Sequence, residues 1–190
     1  MSIDRADLLV VAATSRELAP ADGWRTLRCG VGPLDAAIHT ASAIATTRPR
    51  CILHVGIAGA RASAQLPIGS VIIGTSAQYA DASLASTWVA RTVTPEAELI
   101  TAAHRAIPWA HCLAIGTSAR VGGTTDTPVE GMEGFGVLRA AEVAGIPALE
   151  VRVISNVIEE TDRSRWAFDE AFAAVLALTP RLVEALVNND

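Results

Sequence analysis

Six consecutive apolar residues, Leu8-Leu9-Val10-Val11-Ala12-Ala13, constrain the fold of this chain more than any other feature. A strand with one wet face alternates apolar and polar side chains. An unbroken apolar run of this length marks a strand covered on both faces, as in a largely parallel sheet. The run ends in Thr14-Ser15-Arg16-Glu17, so Glu17 sits just beyond the carboxyl end of the first strand. Cys51-Ile52-Leu53-His54-Val55 and Ala148 to Ile154 read as further buried strands, and Trp24 to Cys29, Ser70 to Ile73 or beyond and Cys112 to Ile115 complete the set.

Helical spacing separates these strands. Gly30-Val31-Gly32-Pro33 reads as a tight turn into a helix from Leu34 to about Thr46, where proline suits the first turn and Ala36, Ala37, Ile38, Ala41 and Ile44 form an apolar side. Pro95 to Arg105, Phe135 to Gly145 and Arg163 to about Leu178 also have helical periods, and Pro180 reads as the start of a short final helix. Strands alternating with helices in the later part of the chain argue for a three-layer α/β architecture. At 190 residues without a repeat, low-complexity tract or linker, residues 1–190 read as a single domain. Gln78 to Ser86 reads as a loop over the site, and Arg120 to Pro128, with Gly122-Gly123 and several Thr and Asp residues, as a flexible lid.

Composition narrows the partners. A net charge of -5, without a run of basic residues, offers no footprint for nucleic acid or an anionic membrane. No apolar stretch reaches the ~18 residues of a membrane span, and Met1 to Asp7 does not read as a signal peptide. Cys29, Cys51 and Cys112 are odd in number, lack a C-x-x-C spacing and sit in apolar runs; they read as reduced core residues of a cytoplasmic protein. A small molecule is the expected partner.

The stretch Pro128-Val129-Glu130-Gly131-Met132-Glu133-Gly134-Phe135-Gly136 reads as the mouth of a glycine-rich helix. Glycine inside a helix costs about 1 kcal/mol relative to alanine. Gly134 and Gly136 therefore leave two readings open: close approach of a ligand to the backbone, or helix-on-sheet packing with no room for a side chain. Glu133 in a first turn suits the helix dipole, and a carboxylate there can also accept two sugar hydroxyls. Asn156 ends a buried strand and offers a donor and an acceptor. Gly56-Ile57-Ala58-Gly59 can cradle an anion with backbone N–H groups, but lacks the lysine of a P-loop and does not fit G-x-G-x-x-G. His39, His54, His104 and His111 have no metal-ligand spacing, and no G-x-S-x-G elbow is present.

In order and spacing, Thr14-Ser15-Arg16-Glu17, Gly30-Val31-Gly32, His54 to Gly59, Val129 to Glu133 and Arg152 to Asn156 together resemble the nucleoside phosphorylase and nucleosidase superfamily. Within it, Glu130-Gly131-Met132-Glu133-Gly134, the Ser155-Asn156 ending and Arg163-Ser164-Arg165-Trp166 are most similar to the futalosine hydrolase family. The resemblance implies a three-layer α/β/α fold with a central mixed sheet. It also implies hydrolytic release of hypoxanthine from a purine nucleoside on a route to menaquinone, without metal or cofactor, in a homo-oligomer. On that resemblance Glu17 is the general base, Glu133 binds the ribose hydroxyls and Met132 packs on the ribose. Asn156, where related adenine-releasing enzymes usually have aspartate, reads the base; Gly56, Ile57, Ala58 and Gly59 line the substrate, and Arg120 or Arg61 meets its benzoate carboxylate. A phosphorylase, a methylthioadenosine-type nucleosidase and a non-catalytic nucleoside-binding module are the competing readings. The Arg-x-Gly-Ser pattern of the phosphorylases is absent.

Overall fold

The computed structural model describes residues 3–82, 85–123 and 126–188. Its first strand, β1 (Leu8–Ala12), is buried at every position. Leu8, Val10 and Ala12 enter one core, and Leu9 and Val11 enter another. That split is the two-residue repeat of a strand with a layer on each face.

β1 pairs in parallel with β2 (Arg25–Arg28) and with β3 (Cys51–Ala60). β3 runs parallel to β8 (Ala148–Val157), which is antiparallel to β4 (Val71–Tyr79). β4 is parallel to β6 (His111–Thr117), β6 is parallel to β7 (Val129–Gly131), and β7 returns antiparallel to the end of β3. The pairings β3–β8–β4–β6–β7–β3 therefore close on themselves within the eight-stranded sheet. Ala58, Ala60, Ile72, Ile115, Val129 and Ile154 form the apolar cluster shared by these strands. β5 (Thr92–Val93) is an antiparallel edge on β4.

Helix α1 (Pro33–Thr47) packs with α3 (Gly134–Val143) on one face, and α2 (Ala97–Ala106) with α4 (Phe168–Val187) on the other. Ala36, Phe135, Leu138 and Ala141 cover Leu9 and Val11, whereas Leu99, Val175, Leu182 and Val183 cover Val10 and Leu53. Each such large aliphatic side chain contributes roughly 1.5–3 kcal/mol by leaving water. The result is a three-layer α/β/α arrangement around a mixed sheet, as the sequence predicts.

Several boundaries differ from the sequence reading. Gly56 to Ala60 is not a loop but the second half of β3, where the backbone pairs with β8 and β7. Val129 to Gly131 is strand rather than helix mouth, because its backbone fills the gap between β6 and β3. β8 runs past Ile154 to Val157, so Asn156 lies inside the strand. β4 continues through Gln78 to Tyr79, held by β5 and β6, and Asp81 just beyond accepts from Ser118 Oγ (2.9 Å) and Ala119 N (2.7 Å). Residues 83–84 of the expected loop and 124–125 of the expected lid lie outside the described residues. The chain from Phe168 to Val187 is one helix with Pro180 inside it, not two. Cys29 and Cys51 are buried, but Cys112 is exposed.

Candidate active site

Glu17 closes a single 3-10 turn, Ser15–Glu17, that follows β1. It is 3% exposed. Its Oε2 accepts from Thr14 N (3.0 Å) and Thr14 Oγ1 (2.8 Å), and Oε1 accepts from Ile57 N (3.3 Å). A carboxylate has about four acceptor positions, so these donors fix its plane and leave room for one more.

Glu133 stands directly before α3, and its side chain makes no capping hydrogen bond to that helix. Its Oε1 instead accepts from Gly32 N (3.1 Å), a glycine at φ +98° whose backbone suits no other residue, and Oε2 lies 3.3 Å from Arg152 Nη2. Tertiary contact, not the helix dipole, positions this carboxylate.

Arg152, which the sequence reading assigns no role, is buried and paired with Glu133 and Glu150. Nε donates to Glu150 Oε1 (2.8 Å), Nη1 to Ile57 O (3.3 Å) and Nη2 to His54 Nε2 (2.6 Å). His54 Nδ1 lies 3.0 Å from Val11 O. Only a ring with its proton on Nδ1 donates to that carbonyl and accepts from Arg152 at Nε2. Burial, and then the Arg152 charge, push the His54 pKa well below its ordinary 6.5, so the ring is neutral. Burial works against charge on Arg152, but Glu150 and Glu133 outweigh it and its pKa is raised. Burial raises the pKa of Glu150, which Arg152 opposes, and Glu150 Oε2 has no hydrogen-bond partner among the described residues. A signal was available: Glu150 and Arg152 are two apart in an otherwise apolar run, which puts both on one face of a buried strand where they can pair.

The glycines resolve in favour of packing. A Cβ at Gly134 would overlap the Glu150 carboxylate, and one at Gly136 would overlap the Pro33 carbonyl of α1. Gly56 likewise makes space for Arg152 Nη1 and Glu17 Oε1, and it stands behind the cavity wall rather than in it.

At Ser155 the β3–β8 register slips: Ala58 faces Ile154 and Gly59 faces Asn156. Such a bulge re-aims side chains, and here Ser155 and Asn156 both reach the cavity wall. Ser155 Oγ donates to Asn156 Oδ1 (2.9 Å), and Asn156 Nδ2 to Val157 O (3.1 Å).

These side chains line one cavity of about 270 Å³. Glu17, Met132, Glu133, Ile57, Ala58, Gly59 and Asn156 are all in its wall, together with Glu130. Val121 and Gly122 of the expected lid are there too, whereas no described residue of the 78–86 segment is. Arg120 is exposed and outside the wall, its N–H bound to Ser118 Oγ (3.0 Å), and Arg61 spends Nε on Thr127 O (3.0 Å). The arginine in the wall is Arg163, beside Trp166, Phe168 and Phe172. Among the described residues no group of three or more His, Cys, Asp or Glu is arranged to hold a metal ion.

Comparison with known proteins places this geometry in context. The model of the phosphorylase superfamily matches residues 25–188. A curated futalosine hydrolase from Streptomyces coelicolor is 35% identical over 191 aligned residues, covering 87% of this chain and 80% of the relative. A 5'-methylthioadenosine/S-adenosylhomocysteine nucleosidase from Colwellia psychrerythraea, solved with adenine, superposes with a TM-score of 0.82 at 16% identity, over 94% of this chain and 95% of the other. The native futalosine hydrolase of Helicobacter pylori superposes with a TM-score of 0.82 at 14% identity, over 93% and 97%.

Proposed function

Because this chain belongs to the phosphorylase superfamily, we propose that it hydrolyses the N-glycosyl bond of futalosine and releases hypoxanthine. It is a hydrolase acting on N-glycosyl bonds. Its substrate is a purine nucleoside, and the match to the Streptomyces coelicolor enzyme over most of both chains supports futalosine over methylthioadenosine.

The observation that carries the reading is the pair of buried carboxylates, Glu17 and Glu133, in the wall of one cavity with Asn156. Cleaving a purine from ribose passes through an oxocarbenium-like state in which positive charge grows on the sugar. Glu133 accepts the ribose hydroxyls and its charge favours that state; Met132 packs on the ribose. Glu17, with one acceptor position left, takes a proton from water as the water oxygen attacks the anomeric carbon. The C–N bond electrons leave with the base, which takes up a proton from solvent. The Asn156 amide donates to a 6-oxo group and accepts from a protonated N7, which fits hypoxanthine. A 6-amino base leaves a polar group unpaired at about 1–3 kcal/mol, a preference of roughly 5- to 150-fold.

Water is favoured over phosphate because the wall carries Glu17, Glu130 and Glu133 against Arg163. A phosphate dianion there meets more like charge than opposite charge. The enzyme acts in the cytoplasm on the route to menaquinone and as a homo-oligomer. Leu34 and Ile38, exposed at 71% and 56% along α1 beside Val31 of the cavity wall, support a second copy as the cover of that face.

The test is base release from futalosine, inosine and methylthioadenosine, each with and without phosphate. Hypoxanthine from futalosine in phosphate-free buffer is expected, and strict dependence on phosphate overturns hydrolysis. Glu17→Gln is expected to lower kcat about 10²- to 10⁴-fold with KM little changed. Near-normal turnover by that variant removes Glu17 from its role.

A further inference from the structure

The cavity has two chemically different parts. Glu17, Glu133, Ser155 and Asn156 are buried polar groups suited to a ribose and a base. Trp166, Phe168 and Phe172 are half-buried, and Arg163 beside them is exposed. The aromatic residues form a continuous run: Trp166 and Phe168 have ring centroids 5.4 Å apart, and Phe168 and Phe172 stack at 6.1 Å. Trp166 is anchored by its Nε1, which donates to Glu160 O (3.0 Å).

The neighbouring arginines are already engaged. Arg165 pairs with Glu160 and Asp162, and Arg16, which lies over Phe172 at 4.4 Å, pairs with Asp169. Arg163 makes no ion pair among the described residues, and its guanidinium lies 5.7 Å from the Trp166 ring centroid. A flat cation held over an indole keeps its N–H edge available for a planar, bidentate anion. In a wall that otherwise carries glutamates, an arginine without a carboxylate partner leaves a charge for the ligand to match.

We propose that Arg163 is a specificity-determining residue of a subsite for an aromatic carboxylate, carried by the substrate outside its ribose and base. The aromatic run takes the ring and the guanidinium takes the carboxylate. This assignment rests on the nucleosidase reading above and moves carboxylate recognition from Arg120 or Arg61 to Arg163.

The experiment compares futalosine with its neutral methyl ester, by base release and by calorimetric binding of a non-cleavable analogue of each. The wild-type enzyme is expected to favour the acid about ten- to a hundredfold in kcat/KM, mostly through KM, as a hydrogen-bonded charge pair does. Arg163→Gln is expected to bring acid and ester to within about twofold of each other, and Arg163→Lys to restore part of the gap. Equal weakening for acid and ester in Arg163→Gln overturns the proposal, as does an unchanged preference. Arg163-dependent binding of the acid without base release upholds the subsite and sinks the hydrolase reading. Base release at equal rates from acid and ester keeps hydrolysis and sinks the subsite.

Discussion

His54 illustrates how a single buried residue is fixed by its neighbours. Its Nδ1–H donates to Val11 O and its Nε2 accepts a hydrogen bond from Arg152, so a second ring proton would face a cation in a dry site. The unfolded chain takes up a proton on this ring as pH falls through about 6.5, whereas the folded chain does not. More protons on the unfolded state mean stability that falls with pH, by about 1.4 kcal/mol per unit below 6.5 for one such group. Glu150 acts in the opposite sense above its ordinary 4.5, since its raised pKa leaves the folded state with the extra proton. The comparison that isolates His54 is therefore wild type against His54→Gln, whose amide can donate to Val11 and accept from Arg152. Urea unfolding at pH 7, 6 and 5 is expected to show the wild type losing ground to the variant as pH falls; parallel curves rule the mechanism out. Glu17, Glu133, Met132 and Asn156 were legible in the sequence as candidates. Arg152, His54 and Glu150 were not, because their roles come from contacts between strands far apart in the chain.

At the scale of the element, β8 carries both the buried ion pair and the Ser155 bulge, so one strand sets the charge behind Glu133 and the aim of Asn156. Helix α4 shows the opposite balance between local and tertiary forces. Pro180 reads as a break, since proline costs about 3 kcal/mol in a helix interior and removes one N–H. The helix nevertheless continues because Val175, Thr179, Leu182, Val183 and Leu186 are buried on either side of it, with Thr179 Oγ1 donating to Val175 O (2.8 Å). Pro180 itself faces solvent. Pro180→Ala is expected to stabilise the protein by about 1–2 kcal/mol, the regained helix energy less the greater freedom of the unfolded chain. For a chain of this size that corresponds to a rise in Tm of roughly 2–8 °C by calorimetry. An unchanged or lower Tm would mean that the helix depends on the proline for its path.

For the whole molecule, the closed ring of strand pairings brings the end of β1, the second half of β3, β7 and the end of β8 to one place, and the cavity forms there. One face of α1 remains uncovered, with Leu34 and Ile38 in solvent. Light scattering is expected to give a homo-oligomer, and Leu34→Glu to shift it toward monomer at unchanged far-UV circular dichroism. A wild-type monomer with full activity overturns the oligomer. Among the described residues no helix is long and apolar enough to cross a membrane.

The sequence by itself determined the layers: unbroken apolar runs need cover on both faces, and helical spacing between them supplies it. It also marked where β1 ends, because the polar residues of Thr14 to Glu17 interrupt that run. Only the tertiary structure decided that Gly56 to Ala60 and Val129 to Gly131 are strand, since glycine-rich segments carry little preference of their own and take the conformation that completes a neighbour's hydrogen bonds. It also decided that Gly134 exists to admit Glu150, and that Arg152 pairs with Glu133 and Glu150. Apolar periodicity is local and survives in one dimension; the pairing of buried charges is set by which strands meet.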